Sequence, residues 1–287
     1  MAIARAPHCL VGLIGTGLSA TRTPAMHERE GRAQGLNYLY NTIDLDVLRL
    51  GPDALPDLLI AAERMGFAGL NITHPCKQSV IPLLDELSPD ARALGAVNTV
   101  VLRGGRRVGH NTDWFGFAEN MRRNLPGAPL DRVVLFGAGG AGSAVAHALL
   151  SMGCRHLAVV DPSAERLGAL VRAMAAAHGA DRIEAASDGA AAIARADGVV
   201  HATPTGMASH PGMAFPAAWL RPSLWVAEVV YFPLTTELLA RARDLGCRTV
   251  DGGGMAVFQA VEAFRLFSGI APDAARMAAH FREMGAD

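Results

Sequence analysis

Short runs of β-branched and aliphatic residues alternate along the chain with segments whose apolar positions recur three and four apart. That alternation predicts strands and helices in turn, hence an α/β fold with largely parallel sheets. The strands fall into two sets. The first covers residues 9–15, 38–44, 67–73 and 96–102, with helices opening near Pro24, Pro52 and Pro75. Proline suits a first helical turn, because the N–H it lacks would have no partner there. The second set covers 132–136, 156–160, 182–186, 198–202, 224–229 and 248–250, each separated from the next by a helical pattern. Residues 113–125 read as a connecting helix, stopped by the turn formers Pro126, Gly127 and Pro129. After the last strand come two helices, 252–268 and 272–284. The expected organisation is a first α/β domain over 1–113, a doubly wound second domain over 114–250, and helices over 251–287 that return to the first domain.

Composition narrows the partners. A chain of 287 residues can bury two cores. Lys and Arg total 26 against 27 Asp and Glu, with no block of like charge, so neither nucleic acid nor an anionic membrane surface is an expected partner. A small-molecule substrate fits better. Cys9, Cys76, Cys154 and Cys247 are scattered without a CxxC pair, which suits a reducing cytoplasm, and no metal site is expected. No apolar run approaches the roughly 18 residues of a membrane span. Oligomeric state is not legible, and a homodimer stays open.

One loop carries specific chemistry. The run Val133-Val134-Leu135-Phe136 leads into Gly137-Ala138-Gly139-Gly140-Ala141-Gly142 and then into a segment with Val145, Ala148, Leu149 and Met152 on one helical face. Strand, GxGxxG loop and helix in this order form a pyrophosphate cradle. The glycines let backbone approach the ligand, and the helix N-terminus offers N–H groups and a positive dipole end. Asp161 ends the next strand, about 20 residues on, where a carboxylate accepts adenosine ribose hydroxyls and repels a 2′-phosphate. NAD is therefore expected over NADP. A plainer role for Asp161, capping the helix that starts near Ser163, leaves cofactor choice open.

The first domain has no phosphate loop, but small polar groups gather in four motifs: Thr21-Arg22-Thr23-Pro24, Asn71-Ile72-Thr73-His74-Pro75-Cys76-Lys77, Gly95-Ala96-Val97-Asn98-Thr99 and Gly109-His110-Asn111-Thr112-Asp113. Each is expected at a strand end, where open parallel sheets bind ligands. Lys77 is the candidate acid/base, since a partly desolvated lysine brings its proton within reach of neutral-pH chemistry. Asp113 is the candidate that orients it. Two plainer roles stand beside these: Lys77 as a solvated helix lysine, and Asp113 as the N-cap of a helix beginning at Trp114.

Together these motifs resemble the shikimate and quinate dehydrogenases, close to end to end. The opening loop from Gly15 through Thr21-Arg22-Thr23-Pro24 is similar to the family's substrate-carboxylate loop, with threonine where most shikimate dehydrogenases carry serine. The resemblance makes Lys77 and Asp113 the catalytic pair and sets Thr21 and Thr23 on the substrate carboxylate. Thr73, Asn98 and Asp113 grip ring hydroxyls. Ala202-Thr203-Pro204-Thr205-Gly206-Met207 resembles the nicotinamide-side loop, so Thr203 and Met207 border the cofactor. Val230-Tyr231-Phe232-Pro233 brings Tyr231 toward the substrate carboxylate. Asp251-Gly252-Gly253-Gly254-Met255 implies Gly254 and Met255 along the nicotinamide, followed by Gln259 as a further hydroxyl partner. Read without the family, Tyr231 is equally a half-buried core residue and the methionines are space fillers.

NADP-using members usually carry Asn-Arg-Thr or Asn-Arg-Ser after the second strand of this domain, whereas this chain has Asp161-Pro162-Ser163. The missing arginine clamp resembles the NAD-dependent quinate/shikimate branch that works in the catabolic direction. The implied reaction is reversible oxidation of a ring hydroxyl of shikimate or quinate to the 3-dehydro ketone. Alternatives are an NADP-dependent biosynthetic shikimate dehydrogenase, an aminoshikimate dehydrogenase, and a non-catalytic sensor of the same ligands, which the presence of both Lys77 and Asp113 speaks against.

Overall fold

A computed structural model of the protein describes residues 8–285. The chain divides into two units, residues 1–112 with 259–287, and residues 113–258. The helix Gly253–Ser268 is shared, through Phe258 with one unit and from Gln259 with the other.

The first unit is built on six strands: β1 (His8–Gly15), β2 (Asn37–Asp44), β3 (Gly69–Ile72), β4 (Glu86–Leu87), β5 (Thr99–Arg103) and β6 (Arg106–His110). They lie in the order β2-β1-β3-β5-β6-β4. The sheet is parallel-rich as expected, with β4 also parallel to β6, and it carries one reversed strand. β1 pairs parallel with β2 and β3, but β5 runs antiparallel to both β3 and β6. The reason is local: β5 and β6 form a hairpin closed by Gly104-Gly105, both at positive φ (61° and 73°), the conformation that a two-residue hairpin turn demands. β6 and the short β4 were not among the expected strands, and the strand expected at 96–102 begins only at Thr99. The reversal matters for the site. The residues before β5 lie at the same sheet edge as the residues after β1, β3 and β6, so Gly95–Asn98 precedes its strand yet meets the other motifs.

A core of Leu45, Leu55, Leu59, Leu70, Ile72 and Val80 fills one part of this unit, and another packs Val11, Tyr38, Phe264 and Phe267. The last helix, Ala274–Glu283, is tied on by Arg276, whose guanidinium donates to both oxygens of the buried Glu30 at 2.7 Å.

In the second unit β7 (Arg132–Phe136), β8 (His156–Val160), β9 (Ile183–Ala185), β10 (Gly198–His201), β11 (Trp225–Glu228) and β12 (Arg248–Val250) form an all-parallel sheet, ordered β12-β11-β10-β7-β8-β9. The order reverses at β7, so the crevice beyond its carboxyl end is the switch point where such sheets bind ligands. Strand interiors are apolar on both faces, as parallel strands under helices require. Among the described residues no helix is long and apolar enough to cross a membrane, and no group of three or more His, Cys, Asp or Glu could hold a metal ion. All four cysteines are buried thiols.

Candidate functional site

At the switch point β7 gives way to Gly137, and the helix Gly140–Ser151 starts with Gly139 as its extended N-cap and no side chain capping it. Its first N–H groups are therefore left for another acceptor. The glycines divide into two kinds. A Cβ on Gly142 would lie 2.0 Å from the carbonyl oxygen of Gly137, so only glycine lets the helix seat against the strand end. Gly139 and Gly140 instead face open space, with nothing within 4 Å of where a Cβ would be. A cradle closed behind by contact and open in front fits the pyrophosphate of a dinucleotide.

Asp161 follows β8 and its carboxylate is taken up internally. Oδ2 accepts from the Ala138 N–H at 2.8 Å, while Oδ1 accepts from the Ser163 N–H at 2.7 Å and from the Arg166 guanidinium at 2.9 Å. Burial opposes the charge, but these donors outweigh it and hold the carboxyl below its ordinary range. Asp161 is not the helix cap considered above: Ser163 caps the helix Ala164–His178, accepting from the Arg166 N–H. The aspartate pins the glycine loop to the end of β8 and keeps a negative charge there.

In the first unit the polar motifs converge through their backbones. Thr73 donates its N–H to Ile14 at 2.9 Å, and Thr16 donates to the carbonyl of His74 at 3.0 Å, across a cis His74-Pro75 bond. Val97 donates to the carbonyl of Lys77 at 2.9 Å, which joins the lysine motif to the asparagine motif. Lys77 is half-buried on the short helix Cys76–Ser79. The carboxylate of Asp44 accepts from the N–H groups of Leu18 and Asp46, shaping the loop that leads to Thr21 and Thr23. Both threonines are half-buried, and Thr21 Oγ1 receives the Thr23 N–H at 3.4 Å.

Asn98 is buried and much of its amide is spent on its neighbours. Oδ1 accepts from the Thr112 N–H at 2.7 Å and from the Thr99 hydroxyl at 3.0 Å, and Nδ2 donates to Thr112 Oγ1 at 3.0 Å. It therefore fixes the backbone just before Asp113. Behind it stands a residue to which sequence reasoning gave no role of its own: Asn71 donates to Thr99 Oγ1 at 2.9 Å and to the carbonyl of Asn98 at 3.2 Å, and accepts from the hydroxyl of the buried Tyr40 at 2.7 Å. An asparagine inside an apolar strand pattern was the available signal, since a buried amide must find partners.

The connecting helix expected over 113–125 runs Asp113–Asn124, with Asp113 in its first turn rather than capping a helix opened at Trp114. In the second unit Thr203 is half-buried and takes a 2.5 Å contact from His201 Nε2, whereas Met207 and Tyr231 are exposed at 40% and 43%. Gly254 is needed for packing: a Cβ there would fall 1.9 Å from Asn120 Oδ1, and Asn120 also donates to the carbonyl of Asp251 at 2.8 Å. Met255 is buried, and Gln259, in the first unit, is half-buried. A further signal in the sequence went unread. Lys77 is the one lysine in a chain that otherwise uses arginine for its cations.

Residues 13–100 match the family model described as the shikimate dehydrogenase substrate binding domain. A shikimate dehydrogenase (NADP(+)) of Streptomyces avermitilis is 60% identical over 96% of this chain and 95% of its own length. A quinate/shikimate dehydrogenase (NAD(+)) of Corynebacterium efficiens is 52% identical over 95% of this chain and 97% of its own. Among solved structures, quinate dehydrogenase from Corynebacterium glutamicum in complex with NAD superposes with a TM-score of 0.94 at 51% identity, covering 96% of this chain and 99% of that one. With agreement of this depth along nearly its whole length, on top of a glycine cradle at the switch point and a lysine motif locked to an asparagine motif, the chain belongs to the shikimate/quinate dehydrogenase family of oxidoreductases.

Proposed function

We propose that the protein catalyses the NAD-dependent, reversible oxidation of a ring hydroxyl of shikimate or quinate to the 3-dehydro ketone. The observation that carries the cofactor choice is the Asp161 carboxylate, held ionised beside the Ala138 N–H of the cradle. A 2′-phosphate meeting that charge at about 4 Å would cost up to about 4 kcal/mol at an effective dielectric near 20. The Corynebacterium relatives named for NAD support the same reading.

A bound nicotinamide ring supplies the acceptor or donor of the hydride. The chain supplies the rest. Residues Gly137 to Gly142 hold the pyrophosphate by backbone N–H groups, and Thr203, Met207, Gly254 and Met255 border the nicotinamide. Thr21, Thr23 and Tyr231 hold the substrate carboxylate, while Thr73, Asn98, Asp113 and Gln259 orient the ring hydroxyls, so binding energy remote from the reacting carbon fixes its position. Lys77 takes the hydroxyl proton on oxidation and returns it on reduction, with Asp113 orienting the amine. The lysine's singularity supports this role. A guanidinium does not give up its proton at any working pH whereas an amine can, so a single lysine in an arginine-using chain fits a site that must exchange one.

Initial rates with shikimate and with quinate, each with NAD and with NADP, test the reading. Turnover of either acid with NAD at a kcat/KM at least about tenfold above NADP is expected. No turnover with either acid refutes it.

One observation favours a second cofactor reading. Arg166, 57% exposed, stands 2.9 Å from Asp161, so a cation is at hand to meet a 2′-phosphate. The Streptomyces relative is named for NADP. Comparable rates with the two cofactors would establish that Arg166 offsets Asp161.

A further inference from the structure

At the carboxyl ends of β10 and β11 a charged cluster lies wholly inside the second unit. His201 and Glu228 are neighbours in register, with side chains 1% and 0% exposed. Glu228 is surrounded by donors. Oε1 accepts from the N–H groups of Val229 and Val230 at 2.9 and 3.0 Å, Oε2 accepts from the Thr236 hydroxyl at 3.0 Å, and His201 Nδ1 lies 2.9 and 3.0 Å from the two oxygens. A carboxyl group offers about four acceptor sites, and Val229, Val230, Thr236 and His201 Nδ1 stand at them, so the ring turns its Nδ1 edge to Glu228. That leaves Nε2 facing Thr203 Oγ1 at 2.5 Å, while the same oxygen receives the Thr205 N–H at 3.3 Å.

Burying an acidic group is costly even when its hydrogen bonds are satisfied, so its place in the fold calls for something in return. Its reach shows what. Through His201 it grips Thr203, whose methyl group stands 3.1 Å from where a Cβ on Gly137 would be, next to the glycine cradle. Through Thr236 it supports Gly206, where an added Cβ would lie 3.3 Å from Thr236 Cγ2. Through the backbone N–H groups of Val229 and Val230, which donate to it, it sets the start of the loop that carries Tyr231. One carboxylate thus governs both loops beyond these strands.

We propose that His201 and Glu228 are positioning residues that hold loops 203–207 and 229–231 in the arrangement that receives the nicotinamide half of the cofactor. This rests on the functional reading above, which sets Thr203 and Met207 beside the nicotinamide. The pair acts through Thr203 and the backbone of Val229 and Val230, and it leaves the adenosine half, held at Gly137–Gly142 and Asp161, untouched.

The test is to measure dissociation constants of NADH and of ADP-ribose for the whole protein and for His201→Leu. NADH should bind about tenfold more weakly, equivalent to about 1.4 kcal/mol, while ADP-ribose stays within about twofold. If His201→Leu does not fold, Glu228→Gln, which keeps shape but loses an acceptor, carries the same expectation. In a cycle with Thr203→Val, the His201 substitution should add less than about twofold to the NADH effect, since both changes cut one connection. Unchanged NADH affinity, equal weakening of both ligands, or full additivity with Thr203→Val would overturn the proposal. Failure of the unsubstituted protein to bind ADP-ribose would instead strike the functional reading itself.

Discussion

The two units are built in opposite ways at the ends of their sheets. The second offers bare backbone: a cradle in which Gly142 excludes a side chain while Gly139 and Gly140 face open space, with the Asp161 carboxylate tied to the loop's own Ala138 N–H. The first offers side chains, and immobilises them by spending most of their hydrogen bonds on one another, as Asn71, Asn98, Thr99 and Thr112 do. Recognition by backbone tolerates no added atom but needs no network. Recognition by side chains tolerates substitution in shape only where the network can be rebuilt.

The largest effect should come from the first unit. Lys77→Ala is expected to lower kcat by about 10² to 10⁴ with a much smaller change in KM, because a proton-transfer group acts in the transition state. Amine modification sharpens the point: Lys77 carries the one side-chain amine of this sequence open to trinitrobenzenesulfonate, and shikimate should protect against the resulting inactivation. Near-normal turnover of Lys77→Ala would remove the assigned role.

Asp161→Ala should come next, raising the ratio of NADP to NAD kcat/KM by up to about a hundredfold, within the roughly 4 kcal/mol available from one charge. Steady-state kinetics with both cofactors decides it, and an unchanged ratio would transfer cofactor choice to Arg166.

Two glycine substitutions separate the back of the cradle from its front. Gly142→Ala drives a methyl against the Gly137 carbonyl and should destabilise the protein by about 1–3 kcal/mol. Gly139→Ala, in open space at an ordinary φ of −77°, should leave the melting temperature unchanged and weaken NADH binding. Thermal melts paired with NADH titrations distinguish them.

The first unit also carries a pH signature. Burial pushes the His27 imidazole down from 6.5 to about 3, so it stays neutral in the folded protein while an unfolded chain would protonate it. A lowered histidine pKa means stability is complete above the unfolded value and is lost as pH falls from about 6.5 toward 3, by about 2 kcal/mol between pH 7 and pH 5. Urea unfolding at those two pH values should show the loss, and His27→Phe should flatten it. Smallest of all, Thr23→Ala should raise KM for shikimate about tenfold with kcat nearly unchanged, the loss expected for one hydrogen bond to a charged group.

Legibility followed the range of the interactions. The parallel sheet of the second unit was readable strand by strand because each buried strand is a continuous apolar run and each glycine of the cradle is contiguous in sequence. The hairpin of the first unit was missed although Gly104-Gly105 announced it, because Arg106-Arg107-Val108-Gly109-His110 lacks the apolar alternation by which strands were recognised. Lys77, Thr73 and Asn98 stood out through compact motifs. His201, Glu228 and Tyr40 did not, because a histidine or glutamate in a strand says nothing of its partner until two strands are in register. Asp161 was noticed for its position, yet its bond to Ala138 spans 23 residues and was invisible.

By itself the sequence determined the α/β class, the glycine loop and the family, because these depend on local pattern and on residue chemistry. Only the tertiary structure decided the reversed strand that brings Asn98 to the edge shared with Thr73, the tying of Asp161 to the cradle, and the buried carboxylate that serves two loops. Each of those depends on which distant residues share a hydrogen bond, and a buried polar group selects its partner by geometry that exists only once the strands have paired.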